Sequence, residues 1–330
     1  MKIITGIIIA TFYMTILSGC SVIEPRYDQA PSETKTSTVS PTIKPSLTAT
    51  PVPTATLTPT STLTPTITPT PWELSSFSPS RLRTGVEGTS YIETTCEYLR
   101  SRWDETKSSP GTIVVPIMFH SIAQPGRVIK DNTTISMETF TNFMAYAERS
   151  GYETITTDEL YDFLTTNAKI PEKSMIMILD DRRPGVTELF LPYLEENAWT
   201  LTLAWISSQN SDALWSQMEG YSESGHLDVQ SHGYNHIYIQ PYITEEQIRE
   251  EIYKPIDLIT QHFGSAPSAF IWPGGNFSQL ASSIAEEAGF KLGFTASSRG
   301  PLLYNWIPLG EGEREIDNPL MVLPRFWSTA

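Results

Sequence analysis

Cysteine is nearly absent. The 330-residue chain has two, Cys20 and Cys96, which excludes a disulfide framework and a cysteine-rich zinc site. Positive charge is scarce as well, with 22 Lys and Arg against 37 Asp and Glu and a net charge of −15. A phosphate backbone demands a basic face, so nucleic acid is excluded as the main partner, and electrostatic docking on anionic lipid is disfavoured. The uncharged apolar stretch from Ile3 to Leu17 is short for a bilayer span. The same composition excludes polytopic membrane, collagen-like and coiled-coil classes.

What the chain does have begins with an address. Lys2 precedes the apolar stretch, which ends Leu17-Ser18-Gly19-Cys20, the layout of a secretory signal. Small residues immediately before the cysteine resemble a bacterial lipobox. That resemblance implies a signal peptide over residues 1–19, cleavage before Cys20, lipidation of Cys20, and an extracytoplasmic, membrane-anchored lipoprotein. Cys96 has no assigned role. Residues 20–72 read as a tether: from 40 to 71 they hold eight Pro, twelve Thr and three Ser, with Lys44 the one charge. Such a stretch has no apolar face with which to form a core. In extended polyproline geometry it reaches roughly 100 Å.

The 258 residues that follow are enough for one large α/β domain. Residues 73–111 are weakly patterned and are expected to pack on that domain as an N-terminal extension; residues 112–330 carry it. Apolar runs at Ile113–Phe119, Thr154–Thr156, Met175–Leu179, Leu201–Ile206, Leu227–Val229, Ala269–Trp272, Leu292–Thr295 and near Met321–Leu323 read as strands. Between them, amphipathic patterns after Ser136, over Asp158–Leu164, Val186–Asn197, Asp212–Ser222, Glu245–His262 (kinked at Pro255) and Gln279–Ala288 read as helices. Strands separated by helices argue for a parallel sheet, and six or seven such units for a closed or nearly closed barrel. Chemistry is then sought at strand C-termini.

Two polar motifs stand there. Asp180-Asp181 ends the most apolar strand, where adjacent carboxylates repel unless a positive group lies beside them. A metal ion meets that need; a surface turn is the plainer alternative. His232 and His236, in Ser-His-Gly-Tyr-Asn-His, have a spacing that lets two imidazoles reach one ion, or each bonds to backbone instead. Two His and one Asp bind Zn²⁺ and leave positions open, and the second Asp is free to act as a base, the economy of a metal-assisted hydrolase.

Taken together, these residues resemble the NodB-type polysaccharide deacetylases. The resemblance lies in the strand followed by Asp180-Asp181, then Ser231-His232-x3-His236, then Trp272-Pro273-Gly274-Gly275. Val115-Pro116-Ile117-Met118-Phe119-His120 and Gly151-Tyr152-Glu153-Thr154-Ile155-Thr156 add to it, and together they span about 112–325. The branch most similar is that of the poly-N-acetylglucosamine deacetylases. The resemblance implies a distorted (β/α)7 barrel and makes Asp180 the catalytic base, with Asp181, His232 and His236 the metal ligands. The backbone N–H of Arg183 is the expected oxyanion donor. His120, Arg183, Trp272, Pro273 and Gly274 are expected to line the substrate site, Trp272 with a flat face suited to a pyranose ring or else in packing. His226 and His262 read as structural.

Three positions depart from the family pattern. Arg182 stands where the family has glycine, Ile271 stands where an arginine usually orients the base, and the late Leu-x-His of the general acid is missing. Arg325 is the expected substitute for the missing arginine. The implied activity is removal of N-acetyl groups, or O-acetyl as on xylan, from an extracellular polysaccharide such as peptidoglycan or poly-N-acetylglucosamine. Zn²⁺ is the default ion, with Co²⁺ and Ni²⁺ as alternatives. Two other activities fit the same fold: a surface carbohydrate-binding protein that has lost catalysis, and a C–N hydrolase of small amides.

Overall fold

The structure, a computed structural model, describes residues 84–92, 94–102 and 105–329. The expected signal segment, Cys20, the tether to residue 72 and residues 73–83 of the expected extension lie outside them. Seven parallel strands form the centre: β1 (Ile113–Phe119), β2 (Lys173–Asp180), β3 (Leu201–Trp205), β4 (Leu227–Ser231), β5 (Ala269–Ile271), β6 (Leu292–Phe294) and β7 (Phe326–Trp327). Their order across the sheet is β6-β5-β4-β3-β2-β1-β7. A two-residue strand, Glu153–Thr154, also pairs with β2. The sheet curls until its ends almost meet. Leu323 pairs with Phe294 of β6, and three residues on β7 pairs with Ile117 and Met118 of β1. This is a distorted (β/α)7 barrel.

The helices that follow the barrel strands are α1 (Met137–Arg149), α2 (Thr157–Thr166), α3 (Pro184–Asn197), α4 (Asp212–Ser222), α5 (Glu245–Phe263) and α6 (Gln279–Glu287); a further helix, Thr95–Arg102, lies in the N-terminal segment. Their starts are set by the residues that can cap them: Ser136, Ser211 and Ser278 accept N–H bonds from the first turns of α1, α4 and α6. Thr156 with Glu159 and Thr244 with Gln247 form reciprocal capping boxes on α2 and α5. α5 runs through Pro255 to a left-handed Gly264. Of the strand expected near Met321–Leu323 only Leu323 pairs, with Phe294; Met321 and Val322 belong to a 3₁₀ turn, Pro319–Val322, that Asn318 caps by accepting the Leu320 N–H.

Alternation along the strands sorts two layers. Val114, Ile176, Ile178, Ala204, Ala269, Ile271, Leu292 and Phe294 share the cluster inside the barrel. Their neighbours Ile117, Met177, Leu179, Leu203 and Trp205 pack outward under helices α1, α3 and α4. Phe270 and Trp272 pack outward under α5 and α6. Both faces of each strand are covered, which is why β2 reads as a continuous apolar run. At the barrel's other end Glu87–Thr89 pairs antiparallel with Ile307–Leu309, and Asn305 accepts the N–H groups of Tyr91 and Ile92. No helix among the described residues is long and apolar enough to cross a membrane.

Candidate metal centre and active site

Period two along β2 turns Asp180 to the same side as Ile176 and Ile178, into the mouth of the barrel, and it is 2% exposed. A carboxylate so buried needs a partner. Arg325 supplies it: Nη1 donates to Oδ1 at 2.6 Å, while Nε is held by the Thr295 carbonyl at 2.8 Å. The second oxygen faces His120 Nε2 at 3.6 Å and His232 Nε2 at 3.8 Å. Burial opposes the charged form, but the Arg325 guanidinium and these imidazoles outweigh it and hold the carboxyl below its ordinary value.

Asp181 follows with φ 69°, a left-handed conformation that swings its side chain out of the strand direction toward β4. Arg183 forks its Oδ2 through Nε at 3.2 Å and Nη2 at 2.5 Å. Oδ1 is left facing His236 Nε2 at 3.5 Å and His232 Nε2 at 3.8 Å. His232 continues the inward side of β4 and is 1% exposed. Its Nδ1 meets the Ile271 carbonyl at 2.7 Å, so that nitrogen carries the proton and Nε2 keeps its lone pair. Burial pushes its pKa down to about 4. His236, also lowered by burial, places Nε2 3.1 Å from that of His232.

Two imidazole nitrogens and a carboxylate oxygen are turned on one another, and the one on His232 has its lone pair free. Asp181, His232 and His236 form the one such cluster of metal-ligating groups among the described residues. A point equidistant from the three atoms lies about 2.0 Å from each, within the range of zinc–nitrogen and zinc–oxygen bonds. The residues fit a divalent cation.

The cluster opens into a cavity of about 280 Å³ whose wall includes His120, Arg183, Gly274, Tyr238, Arg325 and Trp327. Gly274 and Gly275 have φ 63° and 73°, and a Cβ on Gly275 would come within 2.6 Å of the Ala296 backbone, so the turn closes only with glycine. A larger cavity, about 530 Å³, lies between the N-terminal segment and the Leu303–Trp306 turn, with no His or carboxylate in its wall. We locate the chemistry in the smaller one.

The sequence expectations fare unevenly against these positions. Asp180, Asp181, His232, His236 and Arg325 converge, and His120, Arg183 and Gly274 line the cavity. Trp272 does not. It is 0% exposed, packs outward under α5 and α6, and donates its indole N–H to the Met321 carbonyl at 2.8 Å. The alternation of β5 sends Ile271 inward and Trp272 outward, so no face remains for a sugar. Pro273 is likewise buried, behind the wall that Gly274 forms. Arg182, which stands where the family has glycine, lies outside the left-handed positions and reaches away to the Ser208 carbonyl at 2.6 Å, while Asp181 takes the positive φ. Two aromatic residues of the wall were not anticipated. Trp327 stacks on His120 with ring centroids 6.2 Å apart, and Tyr238 meets His236 edge-on. Each lies two residues beyond a residue already singled out, Arg325 or His236.

Residues 167–293 match the family model of the polysaccharide deacetylases. That span holds the Asp pair, both histidines and the glycine turn, but neither His120 nor Arg325. YxkH of Bacillus subtilis, provisionally named a polysaccharide deacetylase, is 23% identical over 211 residues, 62% of this chain and 72% of the relative. Among solved structures, the deacetylase PplD of Streptococcus pyogenes, in complex with acetate, gives a TM-score of 0.53 at 17% identity, covering 65% of this chain and 92% of that one. A de-N-acetylase of Aggregatibacter actinomycetemcomitans gives 0.52 at 15%, covering 65% and 94%. IcaB from Ammonifex degensii gives 0.52 at 20%, covering 66% and 92%. At these identities the structural likeness is one of fold.

Proposed function

We propose that this chain carries a polysaccharide deacetylase domain and is a metal-dependent hydrolase that removes N-acetyl groups from an extracellular polysaccharide, peptidoglycan or poly-N-acetylglucosamine being the candidate classes. The observation that carries the reading is the meeting of Asp181 Oδ1, His232 Nε2 and His236 Nε2 beside an Asp180 already paired with Arg325. Those three side chains would hold the ion, Zn²⁺ by its taste for imidazole and carboxylate. When bound, such an ion polarises a carbonyl and acidifies water.

The chain's own groups supply the rest. Asp180 is the base: Arg325 keeps it ionised, and its free Oδ2 faces the cavity to take a proton from water as the acetamide carbonyl is attacked. The Arg183 backbone N–H, just after the Asp pair, donates to the developing oxyanion. His120, 3.6 Å from the same Asp180 oxygen, passes the proton that Asp180 takes from water on to the leaving nitrogen, filling the role of the missing late histidine. Acetate and a free amine leave, and Asp180 returns to its carboxylate. Trp327 and Tyr238 offer the aromatic faces for the sugar.

The same proposal covers location. Residues 1–19 are a signal peptide, Cys20 the lipid attachment point, 20–72 the tether, 73–111 the extension and 112–330 the catalytic domain. Incorporation of labelled fatty acid that disappears in Cys20→Ala tests the anchor.

Acetate release from a panel of acetylated glycans, with metal content measured on the same protein, tests the chemistry. Activity should vanish with chelator and fall about 10²–10⁴-fold in Asp180→Asn with the metal retained. Glycan binding without acetate release would instead mark a non-catalytic carbohydrate-binding protein. Turnover of small amides alone would mark the small-amide hydrolase.

A further inference from the structure

We propose that Glu251 is a positioning residue for the metal centre, its buried carboxylate fixing His236 opposite His232 by binding the main-chain N–H groups on both sides of His236. The inference rests on the reading that these two histidines hold the ion.

Glu251 stands on α5 and is 1% exposed. Oε1 accepts the N–H of Asn235 at 2.7 Å and Oε2 that of Ile237 at 3.2 Å. The loop is drawn tightly around it: Gly233 has φ 82°, and a Cβ there would lie 2.5 Å from Glu251 Oε2. From the other side the N–H groups of Ser207 and Ser208 donate to the carbonyls of Gly233 and Tyr234 at 3.2 and 2.8 Å.

The two histidines differ in what holds them. His232 follows directly on β4, and its ring is tied to Ile271. His236 is a non-glycine residue at φ 61°, and its Nε2 is turned to His232. A backbone in that region persists where its surroundings impose it. The residues before and after His236 both donate to one carboxylate, which imposes it. A carboxylate offers two diverging acceptors; a carboxamide offers one and presents a donor at the other.

The test is zinc affinity, measured against a competing chelator, for the full chain and Glu251→Gln. Loss of a residue that orients a ligand is expected to weaken zinc binding about 10–100-fold. A purely structural role would lower the thermal midpoint of the metal-free protein and leave the zinc Kd unchanged, and unchanged affinity in folded Glu251→Gln overturns the proposal. Should that variant not fold, Glu251→Asp keeps both acceptors one methylene out of reach. Several-fold weaker zinc binding is then expected, and unchanged affinity again overturns it. An unaltered protein that binds no zinc, or binds it equally well in His232→Ala, defeats the metal-site reading itself and the present proposal with it.

Discussion

Arg325 Nη1 donates to Asp180 Oδ1 at 2.6 Å across 145 residues of sequence, with both side chains almost wholly withdrawn from water. Neither charge is tolerable there alone. Arg325→Met is expected to cost about 3–5 kcal/mol, because it leaves a buried carboxylate unpaired. Urea unfolding at pH 7 measures this. Asp180→Asn combined with Arg325→Met should recover much of the stability and none of the activity. Equal stability of the single variant and the unaltered protein would mean that the pair is not desolvated as described.

Metal should show itself as stability before any substrate is added. An ion that binds the folded chain alone, at a hundredfold over its Kd, adds about 2.7 kcal/mol. The thermal midpoint of chelator-treated protein should therefore rise by several degrees on adding zinc. The rise should be absent in Asp181→Ala and His232→Ala and present in Asp180→Asn. A rise that survives loss of His232 would place the ion elsewhere.

The pH dependence of the metal-free protein follows from the buried imidazoles. Burial pushes His232 down to about 4, whereas in the unfolded chain it titrates near 6.5. Between those values the unfolded state binds a proton that the folded state refuses. Stability is therefore full above about pH 6.5 and falls as the pH drops toward 4, by up to about 1.4 kcal/mol per unit. His120 and His236, lowered chiefly by burial, steepen the same limb. Below 3.8, protonation of Asp180 extends the loss, because its carboxyl is held under its ordinary value. Urea midpoints from pH 7 to 4 should slope accordingly, with a shallower slope in His232→Gln; a flat profile contradicts the burial argument.

The two tryptophans separate stability from recognition. Trp272→Ala removes a filled core position and should cost about 3–5 kcal/mol, while Trp272→Phe should leave KM for glycan near its original value. Trp327→Ala, on the cavity wall, should raise KM with a smaller loss of stability. Reversed effects would mean that the inward and outward sides of β5 have been misassigned.

The sequence carried the fold well where physics is local. The β2 run is apolar because both its faces are covered, and Ser136 caps the helix that the sequence places after it. The Asp pair and the two histidines are legible because Asp180 ends a strand, His232 directly follows one, and His236 stands four residues on. Arg325 was nominated by resemblance, and only the closing of the barrel brings it to Asp180. Trp272 kept two roles open in the sequence because a motif fixes residue order, whereas the side on which a side chain falls depends on where its strand begins. Trp327 and Tyr238 carry no signal because neither a two-residue strand nor a loop has a periodic pattern, and Glu251 because nothing in a helical repeat tells which loop amides a buried carboxylate will meet.

The short run from Leu323 to Trp327 works as a seam. Its first residue is stitched to β6, its last two to β1, and the guanidinium that neutralises Asp180 hangs between the stitches. Closure of the cylinder and pairing of the buried carboxylate are thus a single event. A protease nick anywhere in those five residues would open the staves and strand the charge in one stroke, so no intact but inert cylinder should accumulate.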